Sequence, residues 1–187
     1  RRNTEQDWLK TNLAKFTRLL QGQRDLEAVS RLILNELAPL VSAQHGAFFL
    51  AMPLVDGEDL NAADDDQFEL RMLGSYGYSM GSMPTSFKPG EALIGTAAKE
   101  KRTILVENVP PGYLKMSSGL GEAPPAHVIV LPVLFEGTVL GVIELASFQP
   151  FTQIQKDFLN QIAEMIATSV NTISVNTKTE VLLKQSQ

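Results

Sequence analysis

"HVIVLPVLFEGTVLGVIELAS", residues 127–147, decides the fold. Two apolar runs of strand length flank Glu136-Gly137, a dipeptide suited to a tight reversal. That pattern predicts an antiparallel hairpin over 127–135 and 138–147. Pro132 has no N–H to give to a ladder, so it predicts an edge position or a bulge in the first strand. In the second strand, Glu144 stands in the alternation Thr138, Leu140, Val142, Glu144. Its carboxylate faces solvent or pairs with another element on one reading, and accepts from a ligand in a pocket on the other.

Upstream, "HGAFFLAM" (45–52) is aromatic and apolar and predicts a buried strand. "FELRMLGSYGY" (68–78) alternates Phe68, Leu70 and Met72 with Glu69 and Arg71, as a half-exposed strand does. The two predict a second hairpin, closed by the acidic loop 53–67 with its turn signal at Asp56-Gly57. Between the hairpins, "PTSFKPGEALIGTAAKEKRTILVENVP" (84–110) predicts a turn at Pro89-Gly90, a short helix over 91–102 and a strand over 103–106. Residues 107–126 are rich in Pro, Gly and Ser and predict mostly loop. On one reading this long connection carries binding specificity, with Tyr113, Met116 and Leu120 offering adaptable contacts; on the other it is a disordered surface loop.

Helices bracket this centre. Leu9, Leu13, Phe16 and Leu20 form one face of a helix over 6–22, with Gly22 as its stop. Leu26, Val29, Ile33, Leu37 and Leu40 line a second, and Pro39 kinks or ends its last turn. Ile154, Phe158, Ile162, Met165, Ile166, Ser169 and Ile173 line a closing helix from about Thr152. The total is an α+β sandwich with five or six strands and no fixed-period repeat. The terminal stripes either cap the sheet or pack helices of two copies together, with Leu9, Leu13, Phe16, Leu20, Ile166 and Ile173 as dimer-helix candidates.

Composition removes several functions. There are 187 residues, 16 Lys and Arg against 21 Asp and Glu, and no cysteine. The net charge of −5 opposes non-specific nucleic-acid binding. Without cysteine there is no disulfide, thiol nucleophile, Fe–S cluster or Cys-based zinc site. The longest apolar run, "HVIVLPVLF", falls short of the roughly 18–20 residues that span a bilayer, and no signal peptide is evident. The chain begins Arg1-Arg2-Asn3, and the expectation is a piece of a longer protein.

Site motifs are sparse. Gly90 and Gly95 have the glycine spacing of a P-loop, but Thr96 and Ala97 follow where Lys and Ser/Thr belong. The reading is instead that Gly90 permits a tight turn and Gly95 lets the helix pack close to the sheet. A small anion at the helix N-terminus stays open as a middle reading. Asp56, Glu58, Asp59, Asp64, Asp65 and Asp66 lack the calcium-loop spacing and read as a solvated loop. His45 and His127 each open a strand and belong to no metal-binding element, so neither a metal nor a haem site is expected. Ser117 and Ser118 have no assignable base, and no catalytic residue is assigned.

Several stretches together resemble a GAF domain over roughly residues 25–173. "GEALIGTAAKEKRTILVENV" is similar to the family's G-x-x-G-x-[AV] helix and strand. "LPVLFEGTVLGVIELAS" is similar to its P-[LV]-x-x-x-x-x-[LV]-G-[VL]-[LI] hairpin. "FTQIQKDFLNQIAEMIATSV" is similar to its closing helix, with an F-[ST]-x-x-[DEQ] start. The resemblance implies a GAF-like α/β/α sandwich: a central antiparallel sheet with N- and C-terminal helices on one face and ligand-facing loops on the other. It implies a pocket bordered by residues 84–126, for which Tyr76, Phe87, Ile94, Val106, Tyr113, Met116, Leu120, His127, Ile129 and Glu144 are the candidates. Family ligands include cyclic nucleotides, bilins, haem and metabolites. The cysteine that normally holds a bilin and the N-K-x-[FY]-D-E cyclic-nucleotide signature are both missing, so no cofactor is carried over and the small-molecule ligand stays unidentified.

"NTEQDWLKTNLAKFTRLLQGQRDL" resembles the connector before the GAF domain of large bacterial sensor histidine kinases, and "TEVLLKQSQ" resembles the start of the helix into the kinase core. That implies a connector over 1–24, the GAF domain over 25–173 and the start of a signalling helix over 174–187. It implies a cytoplasmic module of a two-component phosphorelay, with the parent kinase and a second copy as partners. No nucleic acid and no direct membrane contact are expected. No H-box, ATP-binding motif or receiver aspartate cluster occurs, so kinase activity belongs to the parent. A ligandless spacer and dimerisation module is the alternative. A small redox enzyme is a third reading, weakened by the lack of cysteine.

Overall fold

Residues 2–54, 67–77, 85–109, 116–118, 121–123 and 127–186 are described by a computed structural model. In chain order the elements are helices α1 (Arg2–Leu20) and α2 (Leu26–Leu40), strands β1 (His45–Pro53), β2 (Phe68–Tyr76) and β3 (Ser86–Phe87), helix α3 (Ala92–Glu100), strands β4 (Ile104–Glu107), β5 (Met116–Ser118), β6 (Gly121–Ala123), β7 (His127–Phe135) and β8 (Thr138–Ser147), and helix α4 (Gln153–Ser186). Six strands make an antiparallel sheet in the order β3-β2-β1-β8-β7-β4. The architecture is the α+β sandwich that the sequence predicts.

The hairpin of β7 and β8 turns on Glu136 and Gly137, both in the left-handed region at φ 50° and 81°. Such a turn matches the right-handed twist of its strands. Pro132 sits opposite Val142, one residue before a register shift at Val133/Leu134. β4 pairs with β7 only as far as Val130, so Pro132 lies past the end of that ladder. A proline is tolerated there because no β4 partner asks for its N–H. The stretch 107–126, expected to be mostly loop, holds β5 and β6, which pair as a separate two-stranded ribbon. Its three-residue strands are too short to show as alternation among the glycines and prolines.

Local chemistry fixes the helix ends. The Asp25 carboxylate accepts from the N–H groups of Glu27 and Ala28 and starts α2. Pro39 falls in the last turn of α2, which ends one residue later. At α4, Thr152 Oγ1 accepts from the Gln155 N–H at 3.2 Å, and Gln155 Oε1 accepts from the Thr152 N–H at 2.9 Å. This reciprocal capping box gives the T-x-x-Q spacing a physical cause.

Each face of the sheet has its own core. On one side α2 lies on β1 and β2, α4 lies on β7 and β8, and α1 lies against α4. Phe158 is fully buried there, with its ring edge-to-face to Trp8 at 5.2 Å and to Phe16 at 5.8 Å. Leu9, Phe16, Leu20, Ile166 and Ile173 are buried in this core, and Leu13 packs against it. The stripes offered as dimer-helix candidates therefore cap and fill the chain's own core. Two stacked helix layers use more apolar surface than one sheet face alone requires.

On the other side α3 packs over β7 and β8. This core is built of smaller side chains: Ala47, Ala51, Ala97, Ala98 and Ala146, with Val128, Val130, Val139 and Val142. Phe49, Phe68, Leu70, Ile94 and Ile104 complete it.

Candidate functional site

The α3 side is the face of the sheet that the terminal helices do not cover. Gly90, in the left-handed region at φ 84°, turns the chain into α3, and its N–H donates to the Gly95 carbonyl at 2.7 Å. A Cβ at Gly95 would stand 2.1 Å from the Lys88 carbonyl oxygen. Gly95 thus lets α3 close against its own entering turn. That corrects the expectation that it meets the sheet. The N-terminus of α3 has no side-chain cap, and Glu91 Oε2 instead accepts from the Lys88 N–H at 3.4 Å. An acidic group beside the first turn is unfavourable for an added anion, so the middle reading of an anion site gains no support.

Glu144 is the charged group at the centre of this face. It is only 7% exposed, opposite Ala47 of β1 and Val130 of β7. Those two neighbours and Val142 and Ala146 on its own strand all belong to the α3-side core. The solvent-facing reading is overturned. β8 is covered on both faces, and the register shift places Val139 opposite Leu134 and Gly141 opposite Val133. Leu140 is the extra residue, so the simple Thr138-to-Glu144 alternation breaks there. A carboxylate in such surroundings must be satisfied by a partner, and Glu144 is engaged in an interaction.

Four sequence candidates come together on this side. Phe87 and Val106 pack against the α3-side core, Ile94 is 3% exposed within it, and Glu144 lies among its residues. Three do not join them. Ile129 is buried in the helix-side core, and Tyr76 packs against that core. The cause for Tyr76 is a bulge: Phe48 pairs with Gly74 and Phe49 with Met72, so the phase of β2 reverses at Leu73. His127 pairs with Ser147, whose Oγ donates to the Ser42 carbonyl on the helix side. Its half-buried ring keeps Nδ1 inside the protein without a hydrogen-bond partner. Met116 lies in β5, and Tyr113, Leu120 and the acidic loop of Asp56 to Asp66 lie outside the described residues.

Two residues of this face were not among the pocket candidates. Phe49 stacks edge-to-face on Phe87 at 5.5 Å. His45 is 4% exposed, opposite Ala146, with Gly77 close enough that a Cβ there would stand 2.8 Å from its ring. Burial holds its pKa below the ordinary 6.5. The alternation 45, 47, 49 in β1 was the available signal for both. His45 and His127 face opposite sides of the sheet, and among the described residues no group of three His, Asp or Glu is arranged to hold a metal.

The profile of the GAF domain matches residues 23–171. The chain belongs to the GAF domain family. As such it is a regulatory, sensory type of domain. No curated protein sequence matches it significantly. Solved structures share its fold at low identity. The GAF domain of a phosphoenolpyruvate-protein phosphotransferase from Coxiella burnetii is 19% identical with a TM-score of 0.68, covering 91% of this chain and 96% of that one. The GAF-B domain of DevS from Mycobacterium smegmatis is 20% identical with a TM-score of 0.59, over 83% and 99%. The free methionine-R-sulfoxide reductase from Neisseria meningitidis, solved with its substrate, is 17% identical with a TM-score of 0.59, over 85% and 86%. At these identities the likeness is one of fold, and this GAF domain has no cysteine to link a bilin.

Proposed function

We propose that this GAF domain is a ligand-responsive sensory and dimerisation module of a bacterial sensor histidine kinase. The observation that carries the sensory part is Glu144, a buried carboxylate on the face that the terminal helices do not cover. A small molecule held between that face and α3 would share or replace the interaction that Glu144 already makes and bring apolar surface to Phe87, Ile94 and Val106. The route to the helices is short. Val128 and Val130 of β7 belong to the ligand-side core, while Ile129 and Leu131 of the same strand belong to the helix-side core under α4. A shift in β7 therefore reaches both layers, and a ligand that favours one arrangement shifts the population.

The kinase coupling rests on the resemblance of the flanking helices to kinase connectors. α4 supports it physically, because it runs on past Ile173, its last core residue among the described ones, to Ser186. That extension exposes Val175, Leu182 and Leu183. With Leu9, Phe16 and the other stripe residues buried within the chain, these exposed side chains are the surface for a second copy. In this reading residues 1–24 connect to upstream parts, 25–173 sense and 174–187 transmit, in a cytoplasmic setting. No helix among the described residues is long and apolar enough to cross a membrane.

The test is a thermal-shift screen of small metabolites on the wild-type chain and Glu144→Gln. A true ligand at about 100 times its Kd adds roughly 2.7 kcal/mol. The expected result is a stabilising compound whose effect is lost in the variant. A panel that shifts neither protein rejects the sensory reading in favour of a ligandless spacer.

A further inference from the structure

On the opposite side of the sheet from α3, the C-terminal end of α1 meets α4 in a groove of about 400 Å³. Its floor is apolar, formed by Leu20, Met165 and Ile173. No ionisable side chain lines it among the described residues. Three threonines form its walls. Thr17, Thr168 and Thr172 donate their hydroxyls to the carbonyls of Leu13, Glu164 and Thr168 at 2.9, 3.3 and 2.9 Å. With those hydroxyls tied back to their own helices, methyl groups are what the threonines have left to offer. Gln21 and Ser169 also line the groove and keep a side-chain amide and a hydroxyl for an occupant. Gly22, left-handed at φ 77° with open space where a Cβ would stand, leaves the α1 end unobstructed.

We propose that this groove is a second binding site, for one neutral small molecule with an apolar body and a hydrogen-bonding end. The volume lies in the range of about 300–1,000 Å³ in which proteins hold a single small ligand. An uncharged lining offers nothing to offset the desolvation of an ion, which selects a neutral occupant. The exposed apolar residues of α4 lie beyond it, from Val175 onward. An occupant would tie the last turn of α1 to the middle of α4, setting the entering and leaving helices relative to each other. This site is independent of the Glu144 face.

The test is backbone amide NMR of the full chain during titration with benzamide, and with benzoate and benzamidine as charged counterparts of the same shape. Benzamide is expected to shift residues 20–23 and 165–173 saturably, with about tenfold weaker response to either ion. Thr172→Phe, at an exposed helical position, is expected to keep the dispersed spectrum and abolish the response; Ser169→Trp is the second filling variant. Three results each overturn the proposal: no saturable shift in those segments at millimolar benzamide, equal response to all three probes, or a response that survives both variants. Shifts of the same amides on raising the chain concentration alone would also overturn it, by assigning the groove to a second copy.

Discussion

Replacing Gly95 by alanine tests how the wall of the α3 side is built. In an ordinary helix interior the change stabilises by about 1 kcal/mol, because glycine loses more backbone freedom. Gly95 is helical and buried, so helix propensity alone predicts a gain. The surroundings reverse the sign. A Cβ there would meet the Lys88 carbonyl oxygen at 2.1 Å and the Gly90 nitrogen at 3.0 Å. Both neighbours are backbone and neither can rotate away. They are held by the Gly90 N–H to Gly95 carbonyl bond at 2.7 Å and the Glu91 N–H to Lys88 carbonyl bond at 3.0 Å. Relief requires the 88–90 turn to move off the helix and give up those bonds. Overpacking of this kind costs about 1–3 kcal/mol and outweighs the propensity gain. Thermal unfolding followed by circular dichroism should show Gly95→Ala losing roughly 2–4 °C for each kcal/mol. An exposed control in the same helix, Glu100→Ala, should stay within about 0.5 kcal/mol. A raised melting temperature for Gly95→Ala would refute the close approach of turn and helix.

Phe158→Ala removes a fully buried ring that meets both Trp8 and Phe16, so it should cost about 3–5 kcal/mol and shift Trp8 fluorescence as α1 loosens from α4. Ser30 has a fully buried hydroxyl without a hydrogen-bond partner, against Gly74, so Ser30→Ala should raise stability by about 1 kcal/mol in urea unfolding; a loss would mean the hydroxyl is satisfied. Burial lowers the pKa of His45 below 6.5, so on acidification the unfolded chain takes its proton first. Its contribution is therefore complete above 6.5 and is lost as the pH falls through the folded-state pKa. Wild type should lose more stability than His45→Gln between about pH 7.5 and 5.5, and parallel losses would show that His45 does not titrate differently on folding.

The longer strands, the helices and their order were legible because each carries a regular period, whereas β3, β5 and β6, two or three residues long, carry none. The bounds of the hairpin 127–147 match the sequence reading, and the closing helix begins at Gln153, beside the expected Thr152. The errors concentrate where one residue breaks the period. The bulge at Leu73 turns Tyr76 toward the helices, and the extra residue at Leu140 disturbs the alternation leading to Glu144. Ile129 was named from an apolar run with both faces buried, where alternation cannot tell one face from the other. The terminal stripes were correctly apolar, but periodicity does not say whether the surface covering a helix belongs to the same chain. Gly95 was seen to permit a close approach, though its partner, a carbonyl seven residues earlier, follows only from the fold.

In the proposed sensor, a small molecule sits on one face and the end of α4 pairs with a second copy. Native mass spectrometry of the freshly purified chain across a concentration series, compared with its denatured mass, tests both parts at once. The expected result is a species of twice the chain mass that grows with concentration, carrying an excess mass that disappears on denaturation. Leu182→Glu with Leu183→Glu is expected to return the chain to a monomer that keeps the excess. A bare monomer at every concentration would contradict the proposed sensor.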